Sequence, residues 1–137
     1  MVRIHELLIS SRDAEALAGV VGHRHGRDSP ESEATNALAD VLIGAPLVPH
    51  ERLPADRVAM NSRVTYREEP GGARRTVVVV HPAEADPSKG RISVLSPVGR
   101  SLLGRKAGSA ASMVVPGGRA LTIRVLEVEN LRIKEAA

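Results

Sequence analysis

The run Ser96-Pro97-Val98-Gly99-Arg100 places a hydroxyl, a rigid ring and a guanidinium within one turn of a helix start. Its chemistry would be recognition rather than bond-making, because an apolar proline ring beside an arginine forms a stiff, mixed contact patch of the sort interfaces favour. The same residues also have a purely local use: serine caps a helix, and proline at the first helical position loses no needed hydrogen bond. The sequence leaves both uses open. Other reactive groups are less well arranged. His23-x-His25 has neither cysteine nor an HExxH spacing beside it, so no metal site is expected. Ser96, Ser101 and Ser112 lack a Gly-x-Ser-x-Gly elbow, which leaves a hydrolase triad without support. Pro116-Gly117-Gly118 has no Gly-Lys-Ser/Thr ending and reads as a tight turn, not a phosphate loop. Asp28 and Glu31 share a polar turn at the start of a second helix, where the dipole accommodates negative charge. The expectation is a protein with no catalytic residues and no cofactor.

Composition narrows the class further. At 137 residues the chain can bury one modest core with a small appendage. Apolar residues make up 42% of it, an ordinary globular fraction. Tyr66 is the lone aromatic, with no Phe and no Trp, so the core must be built from Val, Leu, Ile, Met and Ala. Single-stranded nucleic acid is usually gripped by aromatic stacking, which this chain cannot supply. Its 19 basic and 16 acidic residues are mixed along the sequence and leave a net charge of +3, which reads as a solvated surface; direct sequence-specific nucleic-acid binding is not expected. The chain has no cysteine, which fits a reducing compartment. Val41 to Val48 is too short to span a bilayer, and charges occupy the start where a signal peptide needs its apolar stretch. A cytoplasmic location without membrane contact is therefore expected.

The elements that must position these groups fall into two parts, 1–50 and 51–137. In the first, Ala14, Leu17, Ala18 and Val21 recur at helical spacing, with Ser10 or Ser11 as the cap and Asp13 in the first turn. A second helix begins at Ser29-Pro30, carries Ala34, Ala37, Leu38, Val41 and Leu42 as its apolar stripe, and stops at Gly44 and Pro46. Two such helices predict a short antiparallel hairpin. Ala45 to Pro54, with its three prolines, reads as a stiff linker. Beyond it the pattern is β. Val58, Met60, Val64 and Tyr66 alternate as one buried strand face, and Val77 to Val80 form an uninterrupted run expected to occupy a central strand. Pro82 to Gly90 is a polar loop, Ile92 to Leu95 a strand, and Pro97 to Leu103 a helix. Ala111 to Val115 should pair across Pro116-Gly117-Gly118 with Arg119 to Val128, leaving Asn130 to Ala137 as a frayed tail. Leu102, Leu103, Ile123 and Val125 are expected in the core. The fold class is α+β, a helical hairpin joined to a curved antiparallel sheet carrying one helix.

The order Ile-Ser-Val-x-Ser-Pro, a short helix ending Leu103-Gly104-Arg105-Lys106, then Pro116-Gly117-Gly118 and a closing Val-rich strand resembles the FKBP-like C-terminal domain of the GreA/GreB transcript-cleavage factors. The shorter N-terminal hairpin, with Val58-Ala59-Met60-Asn61-Ser62-Arg63-Val64, is similar to Rnk, the regulators of nucleoside diphosphate kinase, which are Gre relatives with a truncated coiled coil. The resemblance implies a docking role on RNA polymerase, with the C-terminal domain on the rim of the secondary channel and the hairpin pointing inwards. It implies polymerase contacts for Ser96, Pro97 and Arg100. Leu95 departs from the Asn or Asp that often precedes Ser-Pro in Gre factors. The Rnk resemblance also implies a link to nucleoside diphosphate kinase, by direct binding or through transcription.

Gre factors deliver paired acids at the hairpin tip to the polymerase magnesium, because carboxylates help hold a hard cation and orient water. Asp28 and Glu31 are the acids available here, beside His23, Arg24, His25 and Arg27. Helices of about 14 residues reach only ~20 Å at ~1.5 Å per residue, short of a Gre coiled coil. The expectation is polymerase binding and competition with Gre factors without stimulated transcript cleavage. Prolyl isomerase activity, which the FKBP-like resemblance could also suggest, would need an aromatic pocket that one tyrosine cannot build.

Overall fold

The computed structural model describes residues 7–22, 30–69, 71–114 and 117–130. Strand β1 (Ile9–Ser10) runs straight into helix α1 (Ser11–Gly22), and α2 (Pro30–Gly44) packs against α1. Of the two candidate serines, Ser10 makes the cap: its Oγ accepts the Asp13 N–H at 3.0 Å. Leu17 and Leu38 are fully buried, Ala14, Val21, Val41 and Leu42 are half-buried, and Ala18 is exposed. The buried stripe of α1 is thus shifted: Val20 packs against the core where the sequence suggests Ala18.

The segment from Ala45 to Pro54, expected as a stiff linker, is instead folded into the structure. Strand β2 (Leu47–Val48) lies parallel to β1, a 3-10 turn spans His50–Arg52, and Ala45 and Leu53 are buried. Proline lacks an N–H but keeps its carbonyl. The Pro46 oxygen accepts the Ile9 N–H at 3.2 Å, so a residue that suggested a spacer takes part in the pairing.

Five strands form the main sheet in the order β5-β4-β3-β7-β6: β3 (Ser62–Glu69), β4 (Arg74–Val80), β5 (Arg91–Ser93), β6 (Ala110–Val114) and β7 (Ala120–Asn130). The Val77 to Val80 run lies on β4, an interior strand between β5 and β3, as its continuous apolar pattern suggests. Ser62, Val64 and Tyr66 of β3 point into the core while Arg63 and Arg67 are exposed, the period of two that a half-buried strand requires. Val58 and Met60 are buried as expected but precede the strand. Asn61, at φ 68°, turns the chain into β3, a conformation asparagine tolerates better than most residues. Tyr66 is 6% exposed, and this burial raises its phenol pKa above the ordinary value.

The sheet is mixed, whereas the sequence predicts it antiparallel throughout. Residues 81–90 cross over through two 3-10 turns, Pro82–Glu84 and Pro87–Lys89, and lay β5 parallel to β4 with Val79 opposite Ile92. The remaining pairs are antiparallel. A register shift between Thr65 and Tyr66 skips Leu126 on β7. This bulge keeps Ile123 and Val125 in the core while Glu127 stays outside. Helix α3 (Pro97–Leu102) covers the inner face, where Leu102, Leu103, Ile123 and Val125 are each at most 1% exposed. Asn130 belongs to β7 and is buried; the rest of the expected tail, 131–137, lies outside the described residues, as do Val115 and Pro116.

Asp13 joins the helices to the sheet. Its carboxylate, 2% exposed, accepts the Met60 N–H at 3.0 Å just before β3. Replacing Asp13 with alanine leaves that buried N–H unpaired and should cost about 1–3 kcal/mol. Urea unfolding should show a lower midpoint at unchanged slope; an unchanged midpoint would mean that water substitutes for the carboxylate.

Candidate functional site

The residues singled out by type and spacing meet at the start of α3. Ser96 has extended backbone angles, and its Oγ accepts the Gly99 N–H at 3.1 Å while donating to the Ser93 carbonyl at 2.6 Å. The cap is therefore real, and it also ties the helix to the end of β5. Pro97 occupies the first turn, and Ser101 Oγ donates back to its carbonyl at 2.7 Å. Arg100 does not trail into solvent. Its Nη1 donates to the Leu95 carbonyl at 2.7 Å, and half-burial lowers its pKa from the ordinary value. Pro97 and Arg100 are thus each tied by a hydrogen bond before any partner arrives.

Close approach decides the local sequence. A Cβ on Gly99 would sit 2.2 Å from the Ser93 carbonyl oxygen and 3.0 Å from the Val94 Cα, so only glycine lets α3 lie this near β5. Gly104, which ends the helical turn, has φ +82° and takes β1 against it: the Leu8 N–H donates to the Gly104 carbonyl at 3.1 Å. Arg57 Nη1 donates to that same carbonyl at 3.1 Å.

Pro97 and Arg100 line one side of a cleft of about 500 Å³, with Ser101, Arg105 and Ser112; Ala37, Asp40, Val41 and Gly44 of α2 form the other. Arg105 is buried and its Nε donates to the Ser101 carbonyl at 3.3 Å. The lining is mostly apolar, with exposed Asp40 on one wall and the Arg100 guanidinium on the other. Next to the Gly44 end of α2, Ile43 and Leu47 are 83% and 51% exposed, the large exposed hydrophobics among the described residues. This arrangement can hold an apolar segment and orient it between opposite charges. It contains no nucleophile-base pair.

Asp40, Ile43 and Leu47 are the residues that sequence reasoning passed over. A signal existed for the wall itself: Ala37, Val41 and Gly44 recur at i, i+4 and i+7, a second narrow face beside the one centred on Leu38. The hairpin-tip candidate Asp28 lies outside the described residues, as do His23 and His25. Glu31 is in the first turn of α2, its side chain outside the description. Among the described residues there is no group of acids and histidines that could hold a metal ion, and no helix long and apolar enough to cross a membrane.

The family model for the C-terminal part of the transcription elongation factors GreA/GreB matches residues 53–130. The regulator of nucleoside diphosphate kinase of Escherichia coli K12 is 35% identical over 123 residues, covering 90% of this chain and 88% of that protein. The transcription elongation factor GreA of Rhodopseudomonas palustris TIE-1 is 34% identical over 116 residues, 85% of this chain and 69% of that one. Among solved structures, a prokaryotic transcription elongation factor GreA/GreB from Nitrosomonas europaea superposes with a TM-score of 0.70 at 33% identity, covering 90% of this chain and 98% of its own.

Proposed function

The chain belongs to the GreA/GreB transcription elongation factor family, and from that premise we propose that it is a regulator that docks on RNA polymerase at the secondary channel entrance and competes there with Gre factors. In this reading residues 51–137 are an FKBP-like docking domain and α1 with α2 is a short antiparallel hairpin carried by it. The observation that carries the reading is the cleft between α2 and α3. It sets Pro97 and Arg100, each already tied by a hydrogen bond, opposite Asp40, with exposed Ile43 and Leu47 beside its Gly44 end. An apolar floor with fixed charges at its rim suits a helical or extended protein segment, and pre-positioned side chains lose little entropy on binding.

Reach supports a role other than cleavage. Helices of 12 and 15 residues extend about 18–22 Å at ~1.5 Å per residue. Asp28 and Glu31 then serve a helix start rather than a magnesium ion. Halted elongation complexes should show no faster transcript shortening on addition of the protein. A clear cleavage activity that disappears in Asp28→Ala would overturn this.

Docking is tested by displacement of a labelled Gre factor from purified polymerase. Arg100→Ala and Asp40→Ala should each weaken displacement about tenfold, the range of an interface hot spot. Asp40 is exposed and its loss should leave the unfolding midpoint unchanged, which guards against a merely misfolded variant. Displacement as strong as wild type in both variants would put the contact surface elsewhere.

A second reading, direct regulation of nucleoside diphosphate kinase, is favoured by the name of the Escherichia coli relative. Parallel capture of polymerase and of that kinase by the same immobilised protein separates the two. Retention of the kinase alone would replace the first reading with the second.

A further inference from the structure

The charges that alternate along the sequence are sorted by the register of the sheet. Directly opposed residues on paired strands share a face. Arg67 of β3 lies opposite Arg74 of β4 on one side and opposite Arg124 of β7 on the other, so three arginines form one row across the outer face, away from α3. Like charges placed directly opposite one another destabilise a sheet. Arg124 is neutralised by an ion pair with Glu69 and also donates to the Gly108 carbonyl at 2.8 Å. Arg67 and Arg74 are exposed and make no ion pair among the described residues. Thr65 and Thr76 adjoin them on the same face, hydroxyl to hydroxyl at 3.1 Å.

We propose that this arginine row at the hairpin end of the outer sheet face binds the phosphate backbone of a nucleic-acid duplex without reading its sequence. Arginines and threonine hydroxyls held on rigid strands are the groups that contact phosphate oxygens. The surface around them offers no aromatic ring for stacking an unpaired base, which favours duplex over single strand. The large exposed hydrophobics among the described residues, Ile43 and Leu47, lie beside the α2 cleft and not here, so the apolar anchor that suits a protein partner is found at the cleft. Glu127 and Glu129 lie further along the same face, Glu129 paired with Arg63 at 3.1 Å. They repel phosphate, so the duplex crosses the hairpin end instead of running along the strands.

Fluorescence anisotropy of the full chain with a labelled mixed-sequence DNA duplex, titrated with salt, tests this surface. Wild type should bind at low salt. The double variant Arg67→Gln with Arg74→Gln should reduce the slope of log affinity against log salt by about 2. Arg74→Gln alone should reduce it by about 1, and Arg67→Lys with Arg74→Lys should restore it. Unfolding midpoints of the glutamine variants should match or exceed wild type, because a like-charge pair is relieved. The proposal is overturned if wild type does not bind, if the slope is unchanged in the double variant, or if a matched single strand or a polyglutamate of equal charge displaces the duplex. None of these arginines lines the α3 cleft, so failure here leaves polymerase docking untouched, and the Gre-displacement assay fails or succeeds independently.

Discussion

Replacing Leu102 with alanine should lower the free energy of unfolding by about 2–5 kcal/mol, with the upper half of that range expected. Leu102 is fully buried at the end of α3, in one cluster with Val94, Ile123 and Val125. A six-residue helix cannot hold itself together in water, so its place on the sheet depends on this side chain and on Leu103. Ile9, Val58, Val64 and Val79 of the same cluster are likewise stiff at χ1, and the chain has no phenylalanine or tryptophan that could swing into the space. The cavity should therefore stay open. Stability for a domain of this size is of order 5–15 kcal/mol, so a large share of it would be lost. Urea unfolding with an unchanged slope measures the effect; a cost below ~1 kcal/mol would mean that the core collapses around the missing atoms.

The second large effect is expected at Gly99→Ala. A single methyl group usually favours a helix, yet here its nearest neighbours are the backbone oxygen of Ser93 and the Cα of Val94. Neither can rotate away. Helix α3 must lift off β5, and this strains the Ser96 cap, whose Oγ bonds both the Gly99 N–H and the Ser93 carbonyl. About 1–3 kcal/mol or more should be lost, the range for overpacking. Because Pro97 and Arg100 ride on the same turn, displacement of a Gre factor should weaken too, even at temperatures where the variant remains folded. Ser101→Ala, which removes only the bond to the Pro97 carbonyl, is the matched comparison. Equal stability of Gly99→Ala and wild type would show that β5 yields more easily than its position implies.

The parts of the fold that were readable in advance are those fixed by neighbours in sequence. The Ser96-Pro97 cap, the glycine stop at Gly104, the β6–β7 pairing and the burial of Leu102, Leu103, Ile123 and Val125 all follow from local chemistry and period. What escaped depends on distant partners. Strand β5 has three residues, too few for a pattern to reveal its direction, and its parallel pairing is set by the 3-10 crossover. The proline-rich segment gave a stiffness signal but no hint that β1 waits beside it. The cleft needs α2 and α3 side by side, and no spacing within either helix states that placement. Nor does charge along the chain announce the arginine row. Arg67 and Arg74 flank a turn as ordinary surface residues, and only the pairing register sets them face to face with Arg124 beyond.

The N-terminal segment and α1 are fastened at separated points: Ile9 to Pro46, Leu8 to Gly104, and Asp13 to Met60. Such a mounting behaves as a cantilever clamped at its root rather than as a swivel. Load on α1 and α2 should therefore pass into the sheet domain through Gly104 and Met60 instead of being taken up by a hinge.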